Sequence, residues 1–168
     1  YGIYGPAFEL CNDEHREPGS EEYLDSEKYQ IRVWDLERPG SLRPFIRRLN
    51  RIRRENPALQ QTFGFQLVEV ENDKLLAYLK STRDGSNLVL VVVNLDPHHV
   101  HSGWIHLPLG ELGLEGEQAY QVHDLITDAR YFWYGSRNFV SIDPAAVPAH
   151  LFRLRRRVRT EKDFEYFV

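Results

Sequence analysis

The sequence of 168 residues contains no methionine and only one cysteine, Cys11. A single thiol excludes a disulfide within the chain and is typical of a reducing compartment, so we expect a cytoplasmic location. A complete reading frame starts with methionine, whereas this chain starts with Tyr1-Gly2-Ile3, which indicates a portion of a longer protein. Long apolar runs and a signal-peptide pattern are also missing, so we expect no membrane partner.

A large excess of charge of either sign is absent as well. The net charge of -4 predicts solubility and singles out no polyanionic partner, so we expect no nucleic acid to bind. Hydrophobic residues make up 42% of the chain and aromatic residues 12%, which is enough to bury a core and argues against disorder. The length fits one domain, or one domain with part of another.

Residues 1–40 have few features of regular structure. A short strand could begin at Tyr1, but Gly5 and Pro6 would interrupt it. Residues 12–27 are acidic, with Arg16 as the one arginine among them. A loop of this length in a compact domain is usually functional, or packs against a part that is absent.

Residues 41–56 form the clearest predicted helix. Ser41 follows Gly40 as an N-cap, and Pro44 lies in the first turn, where its missing N–H costs little. Asn56-Pro57 ends the helix, because a residue before proline avoids the helical region. One helical face is apolar and consists of Leu42, Phe45, Ile46, Leu49 and Ile52.

Beyond Phe63 the pattern changes to strands separated by turns. Asn72-Asp73 and Asp84-Gly85 predict two of these turns, and the apolar run 88–93 predicts a central strand covered on both faces. The fold class is therefore mainly β, with an antiparallel β-sandwich of about seven or eight strands. The predicted strands are residues 65–70, 75–79, 88–93, 104–107, 119–122, 138–142 and 150–154.

A helix ending in Arg53-Arg54-Glu55-Asn56-Pro57-Ala58-Leu59, followed by a β domain, resembles the last barrel helix and C-terminal domain of α-amylase-family enzymes. Residues 18–29, which read PGSEEYLDSEKY, together with 1–4, 8–11 and 163–167, are similar to one branch, the α-1,4-glucan:maltose-1-phosphate maltosyltransferases. Residues 18–29 are the most specific part, since ordinary amylases lack them. The resemblance implies that residues 1–60 end a catalytic (β/α)8 barrel and that residues 61–168 form the C-terminal β-sandwich.

The resemblance also implies an activity for the parent protein. Such an enzyme transfers maltosyl from α-maltose 1-phosphate to the non-reducing end of α-1,4-glucan and releases phosphate, in a retaining double displacement between two carboxylates. Those carboxylates lie on earlier barrel strands in this family, so we expect no catalytic residue, no metal and no cofactor in this chain. The chain alone should be inactive.

Lys28 and Tyr29 match part of the family's donor phosphate pocket. An ammonium group and a phenol both donate hydrogen bonds to phosphate oxygens, so the residue types fit the role. The alternative is that Lys28 pairs in solvent with Glu27 or Asp25.

Two other functions remain open at the level of sequence. One is another enzyme of the superfamily, such as a trehalose synthase or an α-glucan hydrolase, which needs no phosphate pocket. The other is a non-catalytic carbohydrate-binding or interaction module, in which Tyr131, Trp133 or Trp104 would be exposed in a row.

The apolar helix face would lack the barrel strands that it covers, and uncovered apolar surface drives association, so we expect a homodimer.

Four further patterns have simpler explanations than a site. We expect Glu9 to be structural, and the histidines at 98, 99 and 101 to form a polar loop or strand edge rather than a zinc site. Cys11 has mostly acidic neighbours rather than the basic ones that activate a thiol, so it should not be a nucleophile. The arginines between 153 and 159 should pair within the protein.

The aromatic run from Tyr131 to Tyr134 predicts either core packing or a sugar-binding surface, since alternate strand residues point opposite ways.

Overall fold

The computed structural model describes residues 5–24, 31–114 and 119–155. The chain divides into two compact units, Tyr1–Arg51 and Ile52–Val168. Within the described residues, no helix combines the length and the apolar character that crossing a membrane requires.

The first unit starts with a short helix, α1, at Gly5–Glu9. Residues 1–4, where a strand could begin, lie outside the described residues, and Gly5 and Pro6 start a helix. A proline fits there because in the first turn of a helix it lacks only an N–H that has no helical partner. Ala7 and Leu10 are buried, and the Leu10 N–H donates to the Pro6 carbonyl at 2.9 Å. The carbonyl of Glu9 accepts from the Leu42 N–H at 2.7 Å, so the start of the next helix lies beside α1.

The second helix, α2, spans Arg43–Glu55 and confirms the helix expected at residues 41–56. The Ser41 hydroxyl accepts a hydrogen bond from the Arg43 N–H at 3.2 Å, which satisfies one of the free donors of the first turn. Ile52 is buried, whereas the other four members of the apolar face are only partly buried.

A 3₁₀ turn at Pro57–Gln60 follows α2 and begins the packing of the second unit. The buried Asn87 side chain accepts from the Ala58 N–H at 3.0 Å and donates to the Asn56 side chain at 3.1 Å. Asn56 in turn donates to the Ile52 carbonyl at 2.8 Å. These bonds explain why the helix stops here and why the 3₁₀ turn packs on the two strands on either side of Asn87, β2 (Leu75–Ser81) and β3 (Leu88–Asn94).

The described part of the second unit contains one sheet of eight antiparallel strands, in the order β6-β5-β8-β3-β2-β1-β4-β7. Seven of them correspond to the predicted segments, and β6 is the addition. Between β4 and β5 lies a short helix, α3 (Leu109–Leu112). The strands are β1 (Phe65–Val70), β2 (Leu75–Ser81), β3 (Leu88–Asn94), β4 (His101–His106), β5 (Tyr120–Asp124), β6 (Arg130–Trp133), β7 (Arg137–Ile142) and β8 (Ala149–Arg155).

The sheet wraps around one apolar core, which confirms the mainly-β, sandwich-type prediction. Six of the seven residues of β3 are buried, as expected for a central strand. The Tyr120 hydroxyl donates to the Gly135 carbonyl at 2.9 Å and accepts from Asn138 at 2.8 Å. These bonds join β5 to β7 and the turn before it, so the strands at opposite ends of the sheet order close over the core.

The loop before β1 is held tightly against the end of β2. The buried Lys80 ammonium donates to the carbonyls of Gln61 at 2.8 Å and Phe63 at 2.7 Å. The Ser81 N–H donates to the Gly64 carbonyl at 2.9 Å, and Gly64 has a φ of 68°. The loop geometry therefore depends on a left-handed residue that lies in contact with the neighbouring backbone.

Candidate functional site

The predicted phosphate residues Lys28 and Tyr29 lie outside the described residues. The described part of the acidic segment before them consists mainly of turns and bends, as expected for a loop. His15 and Tyr23 form an antiparallel bridge, and Arg16 bonds Glu22 at 2.9 Å. This turn places residues of the acidic stretch opposite one another and compensates part of its charge.

The two sides of the segment that contains Lys28 and Tyr29 are linked. Arg32 donates to the Leu24 carbonyl at 3.5 Å, and its guanidinium lies 4.5 Å from the ring centroid of Trp34. The Arg32 side chain therefore lies against the backbone of Leu24.

The start of α2 borders an open cavity of about 430 Å³ that contains three arginines and one glutamate. Arg38 donates to the Leu10 carbonyl at 3.0 Å, and Arg43 pairs with Glu37 at 2.6 Å. Two of the three guanidinium groups are thus already engaged. The remaining surplus of positive charge is too small to define a site by itself.

The second unit has a groove of about 170 Å³ between β6 and β7, the two end strands of the sheet. We call it the aromatic groove, because four of its seven lining residues carry phenyl, phenol or indole rings. Among the described residues, no lysine, arginine, aspartate or glutamate lines the groove. Its lining residues are Tyr131, Trp133, Phe139, Val140, Ser141, His150 and Phe152.

Strand alternation determines which rings reach the aromatic groove. On β7, Phe139 and Ser141 are exposed, whereas Val140 between them is buried. On β6, Tyr131 and Trp133 share one face and pack edge-on against Phe152, with centroid distances of 6.3 and 5.2 Å. The aromatic run is therefore core packing at Trp133 and partly open surface at Tyr131, which is 43% exposed.

His150 forms one wall of the groove and is held by a buried carboxylate. Its Nδ1 lies 2.9 Å from Asp124 Oδ2, and Asp124 is 0% exposed. Asp124 also accepts from the Thr127 hydroxyl at 2.6 Å and the Ile126 N–H at 3.1 Å. The His150 ring stacks on Phe152 with centroids 4.9 Å apart, so its orientation is fixed from two sides.

The pair shifts both pKa values in the direction that favours the ions. Burial is the largest influence on Asp124 and acts to raise its pKa, but the hydrogen bonds from His150, Thr127 and the backbone outweigh it and leave the pKa below its ordinary value. Burial likewise acts to lower the pKa of His150, and the bonds to Asp124 outweigh it and raise that pKa overall.

The sign of these shifts predicts a pH-dependent cost for His150→Asn. The stability that His150 contributes is complete below its ordinary pKa of 6.5 and is lost as the pH rises through its raised pKa. The stability that Asp124 contributes is complete above its ordinary pKa of 3.8 and is lost as the pH falls through its lowered pKa. We expect urea unfolding to show a loss of about 1.5–3 kcal/mol at pH 5 and a smaller loss at pH 9. The exposed His98→Asn is the control, and an unchanged gap for His150→Asn at both pH values would contradict the ion pair.

A second pair of rings lies next to the groove on the outer face of β4 and β7. Trp104 and Phe139 face each other across the strands with centroids 5.3 Å apart. The Arg137 guanidinium lies 4.1 Å from the Trp104 centroid and forms two hydrogen bonds of 2.9 Å to Glu71. These bonds, with a further one from His106, lower the pKa of Glu71 to about 2. Arg137 therefore holds Trp104 in place beside Phe139.

The histidine-rich stretch forms a local hydrogen-bond cluster. Asp96 lies 2.9 Å from His99 Nδ1 and 3.1 Å from His101 Nε2. Bonds from the His98 backbone and from these two rings hold the pKa of Asp96 well below its usual range. No group of three or more candidate metal ligands occurs in the part of the chain that the structure describes.

Sequence reasoning did not single out Phe139, His150 or Asp124. The alternation on β7 was enough to mark Phe139 as outward-facing, given that Val140 and Ile142 are core residues. Asp124 begins a turn in which its side chain caps following N–H and hydroxyl groups, and an aspartate three residues before Thr127 is a recognisable signal for such a turn. The contact between Asp124 and His150 joins strands that are 26 residues apart, so no local pattern could show it.

Three proteins that are similar to this chain in sequence share one name. The chain is 47% identical to "Alpha-1,4-glucan:maltose-1-phosphate maltosyltransferase" of Methylacidiphilum infernorum (isolate V4), over 92% of this chain and 23% of that protein. It is 47% identical to the protein of the same name from Chlorobaculum tepidum, over 92% of this chain and 24% of that protein. The Myxococcus xanthus protein of that name is 44% identical over 99% of this chain and 25% of its own length. The chain thus spans about a quarter of the length of these relatives.

Solved structures resemble the chain in fold. An α-amylase from Geobacillus thermoleovorans in complex with acarbose has a TM-score of 0.56 at 14% identity, over 76% of this chain and 26% of that chain. A maltogenic α-amylase from Thermotoga neapolitana has a TM-score of 0.51 at 13% identity, over 80% and 32%. The family described as "GLGE, C-terminal" matches residues 67–154, more than half of the 168 residues. The chain belongs to this family.

Proposed function

We propose that this chain is the C-terminal portion of an enzyme that transfers maltosyl from α-maltose 1-phosphate to the non-reducing end of α-1,4-glucan and releases phosphate. The observation that supports this most is the identity of 44–47% with maltosyltransferases over at least 92% of the chain. The amylase-like fold of the second unit agrees with it but does not distinguish one reaction from another.

The chemistry divides between this chain and the rest of the enzyme. The nucleophile and the acid/base carboxylate of a retaining transfer would lie in the preceding part of the barrel. Lys28 and Tyr29 would donate hydrogen bonds to the phosphate of the donor, and the positive charge of Lys28 would stabilise the negative charge on the leaving phosphate. The substrates of the enzyme are therefore maltose 1-phosphate and α-1,4-glucan.

Product analysis distinguishes this proposal from the other activities of the superfamily. The enzyme that contains this chain is incubated with maltose 1-phosphate and maltohexaose, and the products are analysed by mass spectrometry. A maltosyltransferase extends the acceptor in steps of two glucose units and releases inorganic phosphate. Shortened acceptor without phosphate release would instead indicate an α-glucan hydrolase, and conversion of added maltose to trehalose would indicate a trehalose synthase.

The cytoplasmic location and the homodimer remain proposals. The partly exposed apolar face of α2 is the surface on which the dimer prediction depends. In sedimentation equilibrium, the 168-residue chain should then have twice the mass of one chain, and Phe45→Ser on that face should shift it towards the monomer. A monomer at all concentrations would contradict the dimer.

A further inference from the structure

The aromatic groove exposes rings that the core does not require. Phe139 is 52% exposed, Tyr131 43% and Trp104 37%, and they lie on strands at or next to the ends of the sheet. A continuous exposed apolar surface on a soluble domain marks an interaction site more often than an isolated apolar side chain does. These rings are therefore the best candidates for contact with a ligand.

The groove suits a neutral ligand that combines apolar faces with hydroxyl groups. Its described lining has no permanently charged side chain, and the polar groups that it offers a ligand are the Tyr131 and Ser141 hydroxyls, since both ring nitrogens of His150 are engaged within the protein. A glucose ring presents C–H groups on its faces, which pack on aromatic rings, and hydroxyls at its rim, which form hydrogen bonds. A few polar groups in an aromatic lining are the usual composition of small-molecule sites.

The groove is rigid before any ligand arrives. His150 is held by Asp124 at 2.9 Å on one ring nitrogen and lies 3.3 Å from the Ser141 carbonyl on the other. Trp104 is held by Arg137, as described above. Side chains that are already fixed lose little conformational entropy when a ligand binds, so modest contacts suffice for measurable affinity.

The size and position of the groove suit part of a long chain. A volume of about 170 Å³ is smaller than the ~300–1,000 Å³ that encloses a drug-sized molecule, so the groove holds a short stretch of a larger ligand. The Trp104–Phe139 pair continues the aromatic surface beyond the groove.

We propose that the aromatic groove, with the adjoining Trp104, binds a stretch of an α-1,4-glucan chain at a site separate from the transfer reaction. The choice of α-glucan rests on the proposed function, which makes this polymer the acceptor of the enzyme. A binding site on the C-terminal unit would keep a long acceptor attached between successive transfers.

The test uses the 168-residue chain and maltoheptaose as the probe, with binding followed by NMR titration and isothermal calorimetry. Maltoheptaose should shift the resonances of the Trp133 indole and the His150 ring, and cellohexaose, a β-1,4-glucan, should not. Phe139→Ala and Tyr131→Ala should each weaken binding about two- to tenfold, because each removes one ring contact. Phe132→Ala is the matched control, since Phe132 is a more exposed ring on the same strand as Tyr131 but does not line the groove.

Several results would overturn the proposal. The unaltered chain would then bind no maltoheptaose or bind both glucans equally, or all three variants would bind maltoheptaose with the same affinity. A dimer that buries the groove and that dissociates in Phe139→Ala would also overturn it, because the exposed rings would then be a subunit interface. If a variant proves unfolded by its urea transition, the resonance shifts of the unaltered chain decide. Maltoheptaose carries no phosphate and the experiment measures no transfer, so an absence of binding would not contradict the proposed reaction. Equally, an enzyme without transferase activity would not change the binding result.

Discussion

An alanine in place of Gly64 is expected to lower the free energy of unfolding of the second unit by about 2–5 kcal/mol, the largest effect of any single substitution considered. Gly64 has a φ of 68°, in the left-handed region, where a side chain costs about 1–2 kcal/mol. A Cβ at this position would also overlap the backbone carbonyl oxygen of Ser81. The strand would have to move, which would break the hydrogen bond between the Ser81 N–H and the Gly64 carbonyl.

Gly85→Ala is the matched control for this prediction. Gly85 has nearly the same φ, 67°, but a Cβ there would meet no atom within 4 Å. It should therefore show the backbone cost alone, about 1–2 kcal/mol. Both variants are compared by urea unfolding, followed through tryptophan fluorescence. Equal losses for the two glycines would show that the contact with Ser81 is relieved at no cost.

In the enzyme that contains this chain, Lys28→Ala should reduce kcat/KM for maltose 1-phosphate about ten- to 150-fold. A hydrogen bond to a charged group contributes about 1.5–3 kcal/mol. Because the phosphate leaves as an anion, losing this bond should raise the activation free energy of the transfer by the whole of that amount. Tyr29→Phe removes a neutral donor and should cost about 0.5–1.5 kcal/mol, or roughly two- to tenfold.

A donor without phosphate separates this role from general damage. Maltosyl fluoride should be used almost as well by Lys28→Ala as by the unaltered enzyme, because it has no phosphate for Lys28 to contact. Lys74→Ala serves as the control, since Lys74 is an exposed lysine whose ammonium lies 4.0 Å from the Asp73 carboxylate. An equal loss with both donors would mean that Lys28 has a structural role.

Most of the β unit was predictable because its strands follow simple patterns of burial. The run 88–93 is apolar at every position, and only a strand covered on both faces needs that. The turns at Asn72 and Asp84 are stabilised by side chains that accept a hydrogen bond from the backbone two residues later. Asn72 Oδ1 accepts from the Lys74 N–H at 2.9 Å, and Asp84 Oδ1 accepts from the Ser86 N–H at 3.1 Å. At these turns, the local hydrogen bonds and the packing of the sheet favour the same backbone structure.

The parts that sequence did not predict depend on contacts between distant residues or on ambiguous local signals. A Gly-Pro pair fits either the first turn of a helix or the end of a strand, and only burial of Ala7 and Leu10 decides for α1. Strand β6 has only four residues, most of them exposed, so it lacks a clear alternation. The groove itself exists because β6 and β7 are far apart in the sheet order but meet around the core, which no spacing along the chain expresses.

Phosphate release from maltose 1-phosphate in the presence of glycogen tests the central claim most directly. The assay is run with the purified 168-residue chain and, side by side, with the whole enzyme that contains it. Under the proposed function, the enzyme should release phosphate and lengthen the glycogen chains, and the chain alone should do neither, because the nucleophile and the acid/base residue would lie in another part of the enzyme. Turnover by the chain alone, abolished by changing one of its own carboxylates, or no turnover by the whole enzyme, would contradict the account.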